Sequence, residues 1–165
     1  MCRRSAKKHP DIAGDNKLGS SRGGFGTKMH LATDGSGLQL NIVLSPGQAH
    51  ESKFTQRLLD GISVQRQNVS MKRRGHAVLA DKAYSRHALR NDLKDKCIKT
   101  FIPRKSNEKM ASDGRSQLDR DAYRNRNVVE RCFGRLKEYR RIATRYNKKA
   151  TNYLAMVKLG CIRLF

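Results

Sequence analysis

The chain has 165 residues, with 36 Lys and Arg against 14 Asp and Glu, which gives a formal net charge of +22. This excess is far larger than solubility requires and predicts a polyanionic partner, most commonly nucleic acid. The hydrophobic share of 37% predicts one domain with a modest core. No apolar run approaches the ~20 residues of a membrane span, and no apolar segment follows the basic first residues. We therefore expect neither an integral membrane protein nor a secreted enzyme.

The first half of the chain predicts a basic arm, a β-hairpin and a helix. Residues 1–24 are basic, polar and rich in Gly and Ser, which indicates a mobile segment. Strands are predicted at 27–33 and 38–44, joined by the turn sequence Asp-Gly-Ser-Gly. Apolar residues at three- and four-residue spacing predict a helix over 52–62. The polar residues 64–75 are then expected to form a loop.

The second half alternates short apolar runs with helical patterns. The run at 76–80 predicts a strand buried on both faces, and 99–103 predicts another. Ser85 is the expected N-cap of a helix over 86–96. The remaining elements are listed in chain order: a polar loop at 104–120, a long helix at 120–145 capped by Asp119, and a last helix at 151–164. The order predicts a mixed α/β domain.

Neither a zinc site nor a phosphate loop has support in the sequence. The four cysteines, Cys2, Cys97, Cys132 and Cys161, form no CxxC pair, and the histidines form no HxxxH. We therefore expect reduced thiols in an intracellular protein. The glycines at 23–26 precede Thr27 and Lys28 without the Gly-Lys-Ser/Thr order of a nucleotide-binding loop.

Asp81 is the first candidate for chemistry. It directly follows the predicted strand at 76–80, and ligands of open α/β sheets bind at the carboxyl ends of strands. A carboxylate at that edge suits a hard cation such as Mg²⁺. The alternative is an Asp that only caps a turn.

The second candidate is a polar stripe on the long predicted helix. Its members stand at offsets of 0, 3, 7 and 14 residues and fall within about 60° of one another; they are Tyr123, Arg126, Glu130 and Lys137. The opposite face carries the apolar residues of a packed helix, namely Val128, Cys132, Leu136 and Tyr139. The alternative is a solvated face with ordinary ion pairs, for example between Arg126 and Glu130.

Basic residues accumulate at and beyond the end of that stripe. They are Arg131, Arg135, Lys137, Arg140, Arg141, Arg145, Lys148 and Lys149, with Tyr139 and Tyr146 among them. A solvated helix would balance such charge with acids, but the segment offers only Glu130 and Glu138. Because Arg and Lys reach phosphates, this density indicates contact with nucleic acid.

Several of these motifs together resemble a known family. The spacing Tyr123-x2-Arg126-x3-Glu130-x6-Lys137 is that of the carboxy-terminal signature of DDE transposases from bacterial insertion sequences. Further similar stretches are GGFGTKMHL (23–31), SPGQA (45–49), LADKAY (79–84), IPR (102–104), RRIATRY (140–146) and NYLA (152–155). The resemblance runs from about residue 19 to the end of the chain.

The resemblance implies a fold, a chemistry and a partner. The fold would be an RNase H-like mixed sheet flanked by helices, with the catalytic domain at 25–165. Asp81 and Glu130 would be the second and third catalytic acids and would hold Mg²⁺ or Mn²⁺. Lys137 would contact DNA, Tyr123 and Arg126 would support the site, and Arg135, Arg140, Arg141 and Arg145 would bind DNA. The expected partner is double-stranded DNA, as transposon ends and target, in the bacterial cytoplasm and away from membranes.

The first catalytic Asp of the family has no counterpart in this sequence. Asp11 and Asp15 lie in a polar stretch, Asp34 lies in the hairpin turn, and Ala83 replaces the usual Gly after Asp-Lys. We therefore expect a domain that is incomplete at its N-terminus and inactive alone. It would be a carboxy-terminal fragment or a second reading frame, with the first-frame polypeptide or another copy of itself as partner. The alternatives are a non-catalytic basic nucleic-acid-binding protein and a decayed product that does not fold.

Overall fold

The computed structural model describes residues 16–21, 24–65, 71–72, 75–103 and 123–164, and it is a mixed α/β structure. The strands are β1 (Gly19–Ser21), β2 (Gly24–Thr33), β3 (Gln39–Pro46), β4 (Val64–Gln65), β5 (Met71–Lys72), β6 (Ala77–Leu79) and β7 (Lys99–Phe101). The helices are α1 (Thr55–Asp60), α2 (His87–Asp95), α3 (Asn127–Glu138), α4 (Arg140–Ala143) and α5 (Ala150–Arg163), with 3-10 turns at Glu51–Lys53 and Lys82–Tyr84. No helix in this described part is long and apolar enough to cross a membrane.

The β2–β3 hairpin contains the two longest strands described and confirms the prediction of two strands joined by the Asp-Gly-Ser-Gly turn. The two strands pair antiparallel, with Met29 opposite Leu44 and Leu31 opposite Ile42. The Asp34 carboxylate closes the turn by accepting the amides of Ser36 and Leu38, each at 2.9 Å. Asp34 therefore serves turn geometry, as the sequence predicted.

One face of this hairpin packs against the carboxy-terminal helices. Because side chains alternate along a strand, Leu31, Ile42 and Leu44 point to the same side. With them the main core contains Cys132, Leu136, Ile142, Tyr153, Val157 and Cys161. Gln39 adds a hydrogen bond from its Nε2 to the Cys132 Sγ at 2.8 Å. The hairpin thus fixes the position of α3, the helix that carries Glu130.

The long helix predicted over 120–145 is interrupted, which corrects that prediction. Helix α3 ends at Glu138, and Tyr139 has an extended backbone (φ −76°, ψ 107°) before α4 begins. The break lets Ile142 enter the core, where its carbonyl accepts the Tyr153 hydroxyl at 2.7 Å. Packing therefore overrides the continuous helical pattern. Asp119, the expected cap, lies outside the described residues.

A second, smaller core lies beneath α2. Strands β6 and β7 pair in parallel, and Leu89, Leu93 and Ile102 pack with the neighbouring apolar residues. The prediction of a strand buried on both faces is wrong, since residues 77–80 are only half-buried in this two-stranded sheet. Ser85 is not the N-cap of α2, since that position is Arg86, whose side chain makes no capping hydrogen bond, and the Ser85 Oγ accepts from Arg90 at 3.0 Å.

Other predictions are confirmed or corrected locally. The last helix is confirmed as α5, and the helix over 52–62 is confirmed in shorter form as α1. Within the predicted mobile arm, residues 19–21 instead form β1, which pairs antiparallel with β2. Within the predicted loop at 64–75, β4 and β5 pair as a short ribbon. Residues 1–15 of the arm and the loop at 104–120 lie outside the described residues. The strands described pair as three separate sheets, so the RNase H-like sheet stays a prediction.

Two helical glycines give a matched test of the main core. A Cβ on Gly160 would lie 2.5 Å from the Ile142 Cδ1, whereas one on Gly134 would meet nothing within 4 Å. We expect Gly160→Ala to lower the free energy of unfolding by about 1–2 kcal/mol through overpacking. Gly134→Ala should raise it by about 0.5–1 kcal/mol, because alanine favours the helix. Urea denaturation of both variants measures this, and a stabilised Gly160→Ala would contradict the packing described.

Candidate active site and nucleic-acid interface

Three members of the predicted stripe contact one another at the start of α3. The Arg126 Nη2 lies 2.7 Å from the Glu130 Oε1, and the same guanidinium lies 5.4 Å from the centre of the Tyr123 ring. The Glu130 side chain is 56% exposed, while that of Arg126 is 24% exposed. The ion pair between Arg126 and Glu130, which we expected for an ordinary solvated face, is therefore present. It holds Glu130 at the edge of the core with its carboxylate open to solvent.

Asp81 comes to the same region from the other half of the structure. Burial raises the pKa of the Tyr123 hydroxyl, Arg126 lowers it, and the carboxylates of Asp81 and Glu130 raise it further. Both carboxylates therefore lie within electrostatic range of one phenol. Asp81 itself is half-buried and directly precedes the 3-10 turn at Lys82–Tyr84.

The remaining basic residues divide by what their side chains contact. Lys137 is exposed on the same helix as Glu130, and Cys132 and Leu136 are buried on its opposite face. The Arg135 Nη2 donates to the Leu164 carbonyl at 3.1 Å, which ties α3 to α5. Lys137 is therefore free of the core, whereas Arg135 has a contact within the chain.

Arg140 and Arg141 line an open groove of about 500 Å³ between α4 and α5. Its other lining residues are Tyr146, Asn147 and Met156. Both arginines are exposed, and Tyr146 keeps 59% of its surface exposed beside them. An exposed aromatic ring that lines a groove together with two arginines is typical of surfaces that bind nucleic acids.

Arg145 has a different environment from its neighbours. Its Nε donates to the Asn147 carbonyl at 2.9 Å, and its Nη2 donates to the Lys148 carbonyl at 2.8 Å. Its Nη1 donates to the Asn16 carbonyl at 2.8 Å and to the Thr27 Oγ1. The guanidinium also lies 5.5 Å from the Tyr153 ring centre. Arg145 thus fastens the amino-terminal strands to the carboxy-terminal helices, a use that the sequence did not predict.

The whole arrangement agrees with one protein family. Residues 3–165 match the family described as the transposase DDE domain. The chain belongs to the DDE transposases of insertion sequences. No solved structure matches the chain.

Three relatives of this DDE transposase come from bacterial insertion sequences. The chain is 32% identical over 139 residues to a protein named as a transposase for IS6501 of Brucella ovis, covering 84% of this chain and 97% of the relative. It is 28% identical to a protein named as a transposase for IS402 of Burkholderia cepacia and 30% identical to the transposase of IS1106 of Neisseria meningitidis, covering 82% of this chain in each case. The matches span 61% and 42% of those two relatives.

DDE transposases use divalent metal ions, and the donors of this chain fit such an ion in part. Carboxylate oxygens are the ligands that small hard cations prefer, and Asp81 and Glu130 offer two such groups near Tyr123. Among the residues that the structure describes, however, no three His, Cys, Asp or Glu side chains group into a metal site. The turn contacts of Asp34 explain why it does not supply the third group.

A buried histidine in this transposase was missed by the sequence reasoning. His30 is only 1% exposed, with its Nε2 2.8 Å from the Ser45 Oγ and its Nδ1 3.1 Å from the Tyr84 hydroxyl. The stretch GGFGTKMHL carried this residue, but a single His within a strand pattern does not reveal which partners lie across the fold. The strand alternation alone placed His30 on the face opposite Leu31.

The two roles of the arginines predict different effects of charge-conserving changes. We expect Arg145→Lys to lower the free energy of unfolding by about 1–3 kcal/mol, since lysine cannot replace the forked hydrogen bonds and each contributes about 1 kcal/mol. Arg141→Lys should change it by less than about 0.5 kcal/mol, as is usual for exposed positions. Thermal and urea unfolding measure both variants. Equal losses in the free energy of unfolding would contradict the structural role assigned to Arg145.

Proposed function

We propose that this chain binds double-stranded DNA and contributes Asp81 and Glu130 to a metal-dependent site for DNA strand cleavage and transfer. The observation that carries the proposal is the contact of Arg126 with both Glu130 and the Tyr123 ring, beside which the Asp81 and Glu130 carboxylates both raise the pKa of Tyr123. The two acids come from different elements, Asp81 from the end of β6 and Glu130 from α3. Convergence of distant acids at one exposed place is expected of a site for a phosphodiester and a cation.

The ion proposed is Mg²⁺, or Mn²⁺ in its place. When bound, paired metal ions about 4 Å apart would activate the attacking oxygen and stabilise the leaving oxygen at phosphorus. Asp81 and Glu130 would supply oxygen ligands. Arg126 would hold Glu130 until it is engaged, and Tyr123 would remain a neutral hydrogen-bond donor beside them, since its pKa is raised.

A third carboxylate is needed to hold two ions, and the described residues do not bring one to the site. We propose that the first-frame polypeptide or a second copy of the chain completes it. The chain alone would then bind DNA and one ion without efficient strand cleavage. Residues 25–165 would form the catalytic domain, with an RNase H-like arrangement.

DNA would bind along the surface that runs from Lys137 to the groove lined by Arg140 and Arg141. These side chains are exposed, so their charges can replace the counterions of phosphate groups. Tyr146 would pack against a sugar of the DNA backbone in the groove. The contacts of Arg145 support a role in holding this surface in place rather than in touching DNA.

The metal site is tested by Mn²⁺ binding to single-site variants. We expect Asp81→Asn and Glu130→Gln each to weaken binding of Mn²⁺ by more than about tenfold, since each removes a charged ligand. Glu138→Gln is the matched control, because Glu138 is an exposed carboxylate on the same helix, and it should change the affinity by less than about twofold. Isothermal titration calorimetry at pH 7 measures the affinities.

Two outcomes of this titration would contradict the site. One is equal affinity of all three variants, which would indicate general attraction of cations to carboxylates. The other is no Mn²⁺ binding together with DNA binding that Asp81→Asn and Mn²⁺ leave unchanged. That second result would favour a non-catalytic DNA-binding role for the chain.

The DNA surface is tested by the salt dependence of binding. We expect the double variant Arg140→Ala/Arg141→Ala to reduce the slope of log affinity against log salt by about 1.8, since each phosphate contact contributes about 0.9. The control Arg57→Ala/Lys94→Ala removes two exposed cations from α1 and α2 and should leave the slope unchanged. Fluorescence anisotropy with a labelled duplex measures it, and equal slopes for the two double variants would contradict the assigned surface.

A further inference from the structure

A buried hydrogen-bonded network lies on the hairpin face opposite the main core. His30 on β2 is held between the Ser45 hydroxyl at 2.8 Å and the Tyr84 hydroxyl at 3.1 Å. Its ring stacks on Phe54 at a centroid distance of 5.2 Å and meets the Tyr84 ring edge-on at 6.1 Å. These contacts join three separate parts of the chain: the hairpin, the start of α1 and the turn after Asp81.

The hydrogen bonds of this network depend on which ring nitrogen of His30 carries the proton. Burial lowers the pKa of His30, so its ring is neutral near pH 7 with one donor and one acceptor nitrogen, and burial with nearby Glu51 and Asp81 raises the pKa of Tyr84 to about 12. When the Ser45 hydroxyl donates to the Pro46 carbonyl at 3.5 Å, the Nε2–H donates to the Ser45 Oγ and the Nδ1 accepts from the Tyr84 hydroxyl.

A single 3-10 turn connects Tyr84, which the network holds, to Asp81. The Tyr84 amide donates to the Asp81 carbonyl at 2.9 Å, and the Ser85 amide donates to the Lys82 carbonyl at 3.0 Å. Only Lys82 and Ala83 therefore lie between Asp81 and Tyr84, and the backbone of this turn is closed by both hydrogen bonds.

The surroundings make this anchor rigid. Lys28, two residues before His30 on the same face of β2, lies 2.7 Å from the Glu51 Oε1 and donates to the Ala49 carbonyl at 3.1 Å. This pair fixes the segment that leads to Phe54, which covers the His30 ring. The polar groups of the network are thus satisfied in a place where the His30 ring has almost no access to water.

We propose that His30 is a positioning residue that acts through Tyr84 to fix the Asp81 carboxylate relative to the hairpin. The other face of the same hairpin holds α3, so the two acids take their relative position from one element. The inference rests on the proposed function, since it assigns a task to His30 only if Asp81 binds a cation. His30 itself touches neither DNA nor the ion.

The test compares two tyrosine-to-phenylalanine changes. Tyr84→Phe removes the hydroxyl that His30 holds, and Tyr153→Phe removes a buried hydroxyl of the main core. We expect Tyr84→Phe to weaken Mn²⁺ binding about tenfold, as loss of an outer contact does at other metal sites, with Tyr153→Phe within about twofold of the wild type. Hydrogen exchange followed by NMR should show the backbone amides at positions 84 and 85 exchanging at least about tenfold faster in the Tyr84→Phe variant and unchanged in the Tyr153→Phe variant.

A pair of changes at His30 adds a conservative control. His30→Asn keeps a hydrogen-bond acceptor near the Nδ1 position and should stay within about threefold of the wild-type Mn²⁺ affinity, whereas His30→Leu should lose about tenfold. If His30→Leu fails to fold, Tyr84→Phe decides alone.

The outcomes separate this inference from the proposed function. Wild-type protein that does not bind Mn²⁺ overturns the metal site, and the inference falls with it. Wild-type binding that Asp81→Asn removes but Tyr84→Phe leaves unchanged overturns the inference and leaves the metal site standing. Unchanged amide exchange in Tyr84→Phe also overturns the inference, because the turn would then not depend on the anchor.

Discussion

The register of the β2–β3 hairpin is the constraint on which the rest of the structure depends. With His30 opposite Val43 and Leu31 opposite Ile42, one face is apolar and receives the carboxy-terminal helices, and the other face carries the polar network of His30 and Ser45 and receives Tyr84. A slip of one residue would exchange the two faces, because side chains alternate along a strand. The polar network would then face α3 and α5, and Leu31 would face Tyr84. The turn that the Asp34 carboxylate closes therefore fixes the register of the two strands as well as the conformation of the loop.

The candidate site of this DDE transposase lies between two halves that have separate cores. Asp81 belongs to the half built on β6, β7 and α2, and Glu130 belongs to the half built on the hairpin and the last three helices. Among the described residues, the hydrogen bond between His30 and Tyr84 joins the two halves directly, whereas Arg145 with Asn16 and Thr27 fastens the hairpin to its own helices. Such contacts are directional, so they fix positions that apolar packing alone would leave loose. Exposed basic residues continue from the Glu130 helix into α4, where Arg140 and Arg141 line the groove.

Periodicity and turn chemistry predicted much of this fold, and the remainder depended on contacts distant in sequence. The two strand runs at 27–33 and 38–44 and the turn sequence between them were enough to predict the hairpin, and the spacing of Glu130 and Lys137 placed both on one face of α3, where both are exposed. The break at Tyr139 was not predictable, because its cause is the room for Ile142 in the core. The contacts of Arg145 go mainly to backbone carbonyls, which carry no residue-specific signal. Ser85 matched the pattern of a helix cap, but its Oγ accepts a hydrogen bond from the Arg90 guanidinium.

A crystal structure of the chain grown with Mn²⁺ tests most directly whether Asp81 and Glu130 bind one cation. Anomalous scattering locates Mn²⁺ independently of the protein atoms. We expect an anomalous peak within coordinating distance, about 2.0–2.2 Å, of an oxygen from each carboxylate, with Arg126 released from Glu130. Carboxylates more than about 10 Å apart would contradict it, because both acids have to reach ions that lie only about 4 Å from each other.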